Sequence, residues 1–147
     1  MRLTQFSDFA IRLLIFVASQ ADRRATIAQA AEAHGISRSH LMKVANLLAH
    51  QGFLKPSRGR LGGLALARPA GEITIGSILR VTEPDFALVG CMANTPCILT
   101  GNCGLPAILT DAVEAFLAKA DEHTLAELVP EAIDGSGAQR SLEPPSS

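Results

Sequence analysis

The chain has 147 residues, of which 48% are hydrophobic and 18% are charged. This length suits one domain, or one small domain with an appendage, and the apolar content excludes a wholly disordered chain. Trp and Tyr are absent, which argues against an aromatic platform for stacking nucleic-acid bases.

The net charge of −1 conceals a strong asymmetry along the chain. Up to Arg68 there are ten basic and three acidic residues, whereas the rest of the chain holds three basic and eleven acidic residues. A basic half of this kind is typical of a surface that meets a polyanion, and a chance distribution of surface charges is the simpler alternative. We expect the first half to bind a polyanion and the second half to serve another purpose.

Helical spacing and capping residues predict two helices at the start of the chain. The first begins after Thr4 and extends to about Gln20. The second begins at a capping box formed by Thr26 and Gln29, and it ends at Gly35. The predicted apolar face of the first helix carries Phe6, Phe9, Leu13, Phe16 and Val17.

A third helix and a hairpin follow. The helix is predicted to begin at Ser37 or Ser39 and to end at Gly52. Two short strands within residues 53–66 flank a tip that is rich in glycine and arginine. Two helices joined by a glycine-containing turn and followed by a basic hairpin form a winged helix. We expect residues 1–70 to be a winged helix-turn-helix DNA-binding domain.

The polar residues at the start of the third helix are the first candidates for DNA contacts, because this part of a recognition helix reaches base edges in the major groove. The two arginines of the tip suit phosphates or the minor groove. The alternatives are a solvated helix face and a plain hairpin; the tip lacks the pattern of a nucleotide-binding loop. The predicted contacts are Ser37, Arg38, Ser39, His40, Lys43, Arg58 and Arg60.

No export signal or membrane span is visible in the sequence. The N-terminus lacks a basic region followed by a cleavage site, and the apolar run 11–18 is far shorter than the roughly 20 residues of a membrane helix. We therefore expect a cytoplasmic protein with no membrane association. In a reducing compartment its cysteines favour metal or cluster binding, or redox chemistry, over disulfides.

Three cysteines recur with five residues between neighbours, at Cys91, Cys97 and Cys103. In a flexible loop such thiolates can converge on one point, as they do around iron–sulfur clusters. Zinc is the weaker alternative, since structural zinc sites prefer closer cysteine pairs, and incidental cysteines are another. A redox enzyme is not expected, because no Cys-x-x-Cys pair and no adjacent base is present. The four histidines lie far from the cysteines in sequence, which leaves a carboxylate as the candidate fourth ligand.

Four segments together resemble the NsrR group of the winged-helix iron–sulfur regulators, which also include IscR and RirA. They are MRLTQFSDFAIR at 1–12, GISRSHL at 35–41, RGRLGG at 58–63 and the cysteine repeat. The resemblance covers about residues 1–130. It implies a homodimeric repressor that binds double-stranded operator DNA and senses nitric oxide through a [4Fe–4S] cluster. Nitrosylation of the cluster would release the operator of nitrosative-stress genes.

The resemblance also implies a ligand set. Asp8 matches the aspartate that completes the cluster site from the partner subunit, and Arg12 matches the arginine that holds this aspartate. On their spacing alone, these two residues would be an ordinary surface pair. Pro106 stands where IscR-like proteins place a histidine for a [2Fe–2S] cluster, and RirA-like proteins space the first two cysteines more widely. A [2Fe–2S] regulator that responds to iron or cluster status remains the alternative.

The second half is predicted to be helical, so the fold as a whole is mostly α with a small β-hairpin wing. A helix from Pro106 to about His123 has one apolar side, and we expect it to form the dimer interface. The predicted division is 1–70 for the DNA-binding domain, 71–90 for a connector helix, 91–104 for the cluster-binding loop, 105–130 for the dimerisation helix and a last turn, and 134–147 for a disordered tail.

Overall fold

The computed structural model describes residues 2–20, 25–57, 59 and 62–130. The helices are α1 (Gln5–Ser19), α2 (Ile27–His34), α3 (Arg38–His50), α4 (Ile75–Thr82), α5 (Leu105–Asp121) and α6 (Leu125–Leu128), and the strands are β1 (Leu54–Pro56) and β2 (Leu64–Leu66). This mostly helical chain with one antiparallel hairpin confirms the predicted winged-helix fold class. The tip residues Arg58 and Arg60 and the predicted tail at 134–147 lie outside the described residues.

Local capping chemistry sets the ends of the helix-turn-helix unit. The predicted capping box is present, with the side chains of Thr26 and Gln29 each bonded to the backbone of the other. Gly35 ends α2 with φ of +63°, a left-handed conformation that glycine adopts without strain. Ser37 rather than Ser39 caps α3, because the hydroxyl of Ser37 accepts a hydrogen bond from the His40 backbone. The turn between the two helices is therefore specified by residues close in sequence.

The main hydrophobic core forms where α1 packs against α3 and α4. The predicted face of α1 is rotated relative to the buried one: Phe6, Phe9 and Phe16 are only partly buried. The physical reason is that neighbours cover α1 from two sides and bring small residues to the closest approach. The most deeply buried α1 residues are Ser7, Ala10, Leu13, Leu14 and Val17.

The hairpin is joined to the helical core at its base. Leu54 pairs with Leu66, and the Leu64 backbone N–H donates a 2.7 Å hydrogen bond to the carbonyl of Ala25. The guanidinium of Arg68 lies 4.6 Å from the centre of the Phe53 ring, a cation–π distance. These contacts fix the start of the wing relative to α1, with which β2 is also in contact.

The end of α5 returns to the core through α6. Leu125 is fully buried, and its backbone N–H donates to the carbonyl of Ile73 at 2.8 Å. The N–H of Ile75 donates to the carbonyl of His123 at 2.9 Å. The C-terminal end of α5 is therefore attached to the body that carries α3. None of the described helices is long and apolar enough to cross a membrane.

Candidate functional site

The exposed face of α3 is the candidate nucleic-acid surface. The residues of this outward face recur at steps of four, three and four along α3; they are Ser39, Lys43, Asn46 and His50. They therefore share the side of the helix opposite its buried stripe. Arg38 and His40 are also exposed and lie on the two flanks of this face. Asn46 was missed by the sequence analysis, although its helical spacing from Lys43 marks it, and an amide can read adenine in the major groove.

The N-terminus of α3 carries no acidic residue in its first turn. The first backbone N–H groups of a helix give this end a partial positive charge, which suits a phosphate. The Ser37 hydroxyl accepts from the His40 N–H at 3.3 Å and lies 3.3 Å from the Ser39 hydroxyl. Together with Arg38 beside them, these groups form a compact polar end that can meet a DNA backbone.

One side of α3 faces the start of α1. The ring of His40 stacks against the ring of Phe9, with 6.3 Å between centroids and 29° between planes. These two rings and Lys43 line a shallow groove of about 320 Å³ between the helices. Phe9 was predicted only as a core residue, and its contact with His40 could not be found from spacing because it joins two helices.

Two basic residues beside the hairpin extend the positive surface. Lys55 lies on β1 and is exposed, and Arg68 is half-buried against Phe53. Neither was predicted as a DNA contact, although both belong to the basic half of the chain. The predicted contacts Arg58 and Arg60 fall outside the described residues, so their placement stays a prediction.

The three cysteines lie around one cavity of about 310 Å³. Cys91 is half-buried, whereas Cys97 and Cys103 are exposed, and all three are free thiols. Between the cysteines, backbone hydrogen bonds reverse the direction of the chain. For example, the Thr95 N–H donates to the carbonyl of Gly90 at 2.9 Å. The other lining residues are Asn94, Thr95, Pro96, Leu99, Thr100, Gly101 and Pro106. The donor set at this cavity therefore consists of thiols, with no histidine or acid among its lining residues.

The chemistry of this donor set fits an iron–sulfur cluster or zinc, both of which take thiolate ligands. Among the residues that the structure describes, however, no three Cys, His, Asp or Glu side chains are close enough to hold a metal ion. The sequence predicts that the three thiolates converge on one point. In the structure the three thiols share a cavity but are not close enough together to bind one metal ion. Binding would require the segment 91–104 to contract around the metal.

Asp8 and Arg12 lie on α1, away from the cysteine cavity. Arg12 Nε donates to Asp8 Oδ1 at 3.0 Å, and about half of each side chain is exposed. Asp8 is not among the residues that line the cavity of the same chain. Within one chain the two form the ordinary i, i+4 surface pair that their spacing predicts. Their role as cluster ligand and its support stays a prediction about the dimer.

A partly buried polar cluster, absent from the sequence predictions, joins the start of α1 to the end of α4. The carboxylate of Glu83 accepts from the backbone N–H of Thr4 at 2.8 Å and from the hydroxyls of Thr4 and Ser7. The Ser7 and Thr82 hydroxyls are 2.7 Å apart, and both residues are buried. We call these four residues the Glu83 cluster. One visible sign was Ser7 itself, a polar residue at helical spacing from Ala10.

A second polar contact fixes α4 to the end of α5. The Arg80 guanidinium donates two hydrogen bonds to the Asp121 carboxylate, at 2.8 and 2.6 Å, and the Thr74 hydroxyl donates a third at 2.9 Å. These hydrogen bonds, chiefly those from Arg80, hold the pKa of Asp121 below its ordinary value. The same contact raises the pKa of Arg80. Both groups are therefore charged in the folded protein at neutral pH.

Helix α5 leaves an apolar stripe exposed along most of its length. The residues of this α5 stripe recur at steps of three, four and four; they are Leu105, Ile108, Ala112 and Phe116. One of them, Ile108, is 65% exposed. A groove of about 620 Å³ runs beside the stripe, between α5, residues 2–4 and residues 83–88. An exposed apolar stripe on one side of a helix is typical of an interface.

Comparison with known proteins assigns this architecture to transcription regulators. A family model described as Rrf2, iron-dependent transcriptional regulator, matches residues 3–131. Among solved structures, T. potens IscR is similar at a TM-score of 0.70 with 21% identity, over 95% of this chain and 94% of that one.

Two further structures are forms of CymR. CymR of B. subtilis, the global cysteine regulator, has a TM-score of 0.68 and 20% identity over 87% of this chain and 95% of that one. The oxidized form of Staphylococcus aureus CymR has a TM-score of 0.68 and 22% identity over 90% and 98%. At these identities the likeness shows the shared fold.

Proposed function

The chain belongs to the Rrf2 family of transcriptional regulators. We propose that it is a homodimeric repressor that senses nitric oxide through a [4Fe–4S] cluster. The observation that carries the proposal is that all three cysteines line one cavity. The finer assignment to the NsrR group rests on the sequence resemblance, in particular on Asp8, Arg12 and the equal spacing of the cysteines.

The DNA-binding part of the proposal uses residues 1–70. The outward face of α3 enters the major groove, with Lys43 and the α3 N-terminus placed to meet phosphates and Asn46 placed to meet a base edge. Arg58 and Arg60 would extend the contact from the wing. The acidic second half of the chain disfavours contact with DNA there, so the charge distribution favours binding through residues 1–70.

The sensing part uses the segment 91–104 and α1. Cys91, Cys97 and Cys103 would hold the cluster, with Asp8 of the partner subunit as fourth ligand and Arg12 orienting that carboxylate. When bound, such a cluster supplies iron that reacts with nitric oxide. Asp8 lies in α1, the helix that packs on α3. A change in the surroundings of Asp8 would therefore be transmitted through α1 to the outward face of α3.

The dimer is proposed to form through the α5 stripe and the groove beside it. Burying apolar side chains such as Ile108 and Phe116 stabilises association by about 25 cal/mol per Å² of apolar surface removed from water. Two copies related by a twofold axis would present two α3 helices to a roughly palindromic operator. The interface would also bring Asp8 of one subunit towards the cysteine segment of the other.

The experiment that tests the sensor is anaerobic purification, followed by iron and sulfide analysis and titration with nitric oxide. We expect about four irons per chain, a visible absorbance band that nitric oxide bleaches, and release of bound DNA over the same titration. Zinc without iron, or a two-iron cluster indifferent to nitric oxide, would contradict the proposal while leaving the DNA-binding fold intact.

Cys97→Ala provides the matched variant for this experiment. We expect it to lose the iron and sulfide, because it removes one of three thiolates. Ile98→Ala is the control, since Ile98 is fully exposed beside it in the same turn, and this variant should keep the cluster. A Cys97→Ala protein with undiminished iron and sulfide would show that the ligand set is wrong.

A second candidate function is favoured by the family description, which is that of an iron-dependent regulator. In this alternative the cluster, of the [2Fe–2S] type, reports iron or cluster status rather than nitric oxide. The two functions differ in what releases DNA. Iron chelation that releases DNA more completely than a stoichiometric dose of nitric oxide would favour the iron-status regulator.

A further inference from the structure

Phe9 lies between the candidate sensor residue and the candidate DNA surface. It follows Asp8 directly in α1, and its ring stacks on the ring of His40 at the start of α3. The centroid separation of 6.3 Å is within the range in which aromatic rings attract each other. Phe9 is partly buried and packed against the core, whereas His40 is exposed.

The His40 ring has no other anchor within the described part of the chain. Its backbone is fixed by the Ser37 cap, but no hydrogen bond to the imidazole nitrogens is formed there. His40 also lies on the flank of α3 that faces α1, beside the groove that Lys43 lines. The stacking contact with Phe9 is therefore what restricts the direction of this side chain.

We propose that Phe9 is a positioning residue that holds the His40 imidazole in the orientation used to contact DNA. The inference rests on the proposed DNA-binding role of α3. It gives α1 a direct contact with the DNA surface, because a shift of the first turns of α1 would move the Phe9 ring against His40. Phe9 itself need not touch DNA.

The test compares Phe9→Leu with Phe6→Leu as a matched control. Phe6 is also partly buried and lines the same groove, but it is not stacked on His40. The DNA probe is a duplex selected by the wild-type protein from a random-sequence pool. We expect Phe9→Leu to weaken binding roughly two- to tenfold, the range of an aromatic pair contact, and Phe6→Leu to change it less.

A double-mutant cycle separates positioning from general destabilisation. If Phe9 acts through His40, Phe9→Leu has no further effect on affinity in a His40→Ala protein. The ring-proton NMR signals of His40 in the free protein give a second readout, because the neighbouring Phe9 ring shifts them. We expect Phe9→Leu, and not Phe6→Leu, to remove this shift.

The remaining outcomes distinguish the positioning role of Phe9 from the DNA-binding role of α3. Equal losses from Phe9→Leu with and without His40, or unchanged His40 signals, would overturn the positioning role. If Lys43→Ala weakens binding but His40→Ala does not, the proposed DNA surface stands and the inference about Phe9 fails. If neither variant weakens binding, the proposed DNA surface of α3 is itself wrong.

Discussion

Lys43 and Lys119 show how the same side chain has different surroundings in the two halves of the molecule. Lys43 is exposed on the outward face of α3, in the part of the chain with an excess of basic residues. Lys119 is exposed on α5 and is paired with Glu122, its Nζ lying 2.6 Å from a carboxylate oxygen. Only Lys43 is therefore placed to neutralise a phosphate.

We predict that Lys43→Ala weakens DNA binding and reduces the slope of log Kd against log salt concentration by about one, which corresponds to one released counterion. The reason is that one phosphate contact, and the counterion it releases, is lost. Fluorescence anisotropy with a labelled duplex at several salt concentrations measures both effects. Lys119→Ala should leave both unchanged; an unaltered salt slope in Lys43→Ala would remove this residue from the interface.

The variant Asp8→Ala tests the proposed cluster ligand on α1. The exposed pair with Arg12 contributes only about 0.2–0.5 kcal/mol, so the melting temperature should hardly change. We expect the protein to keep its iron but to show an altered absorbance spectrum and a weaker response of DNA binding to nitric oxide. An unchanged spectrum and response would exclude Asp8 as a ligand.

The side-chain contacts that the sequence predicts are those between residues close together in the chain. The capping box at Thr26 is formed by residues three apart, so its pattern is visible in the sequence. The Glu83 cluster joins positions 75 to 79 residues apart, and the Phe9–His40 stack joins two helices. No local pattern can specify such partners, because they meet only when the helices pack.

Helices α4 and α5 approach each other closely at Gly76. A Cβ atom placed on Gly76 would lie 2.2 Å from Asp121 Oδ1 and 2.9 Å from the backbone carbonyl oxygen of Leu117. Asp121 is itself held by Arg80, so neither neighbour can move away easily. The absence of a side chain at Gly76 therefore sets the distance between the two helices.

We predict that Gly76→Ala destabilises the protein, although alanine favours a helix over glycine by about 1 kcal/mol. Overpacking costs about 1–3 kcal/mol and outweighs that gain in a helix whose neighbours are fixed. Thermal or urea unfolding measures the change. Gly71→Ala is the control, because nothing lies within 4 Å of a Cβ atom there; equal stabilities of the two variants would contradict the close approach.

Asp121 makes the same junction sensitive to acid. Its pKa is lowered in the folded state, chiefly by hydrogen bonds from Arg80, so the stabilisation is present above its ordinary value of 3.8 and is lost as the pH falls through the folded value. We predict that Asp121→Asn lowers the melting temperature at pH 7 and that the difference from wild type shrinks towards pH 3.

The control for this prediction is Glu122→Gln. Glu122 is paired with Lys119, but both side chains are more than half exposed, so the pair contributes little at any pH. Its melting temperature should stay close to that of wild type over the whole range. A difference between Asp121→Asn and wild type that persists undiminished at pH 3 would exclude the charge of Asp121 as the cause.

The elements themselves were largely predictable, and their packing was not. The predicted helix from Thr4 to Gln20 agrees with α1 at Gln5–Ser19, and the long helix agrees with α5, because capping residues and apolar periodicity are local. The buried face of α1 was predicted only in part: Leu13 and Val17 are buried as expected. Ser7, Ala10 and Leu14 complete that face, because its position depends on the two neighbours that cover the helix. In the same way the spacing of the cysteines predicted a shared site, but not how far apart the thiols lie.

The two sides of α5 differ in burial, and this difference bears on how the protein assembles. Val113 and Leu117 are buried against the core, whereas the α5 stripe faces solvent. A charged residue in that stripe would be costly in a dimer and harmless in a monomer. We predict that Ile108→Glu yields a monomer by sedimentation velocity, with α-helical content retained.

Ala118→Glu serves as the matched control for assembly. Ala118 is exposed on the same helix but outside the stripe, so this variant should remain dimeric. A dimeric Ile108→Glu protein would exclude the stripe as the interface. A monomer that still binds one half of the selected duplex weakly would agree with one α3 helix per half-site.

The segment that carries the three thiols is attached to the core at both ends but adds nothing to it. The Glu83 cluster fixes the chain before it, and α5 fixes the chain after it, while no described side chain between residues 87 and 104 belongs to either hydrophobic cluster. Its sequence and length are thus free of the packing constraints that govern the helices. If this segment is the sensor, as we propose, natural selection could replace its chemistry, and with it the stimulus that is detected, while the DNA-binding architecture is inherited unchanged.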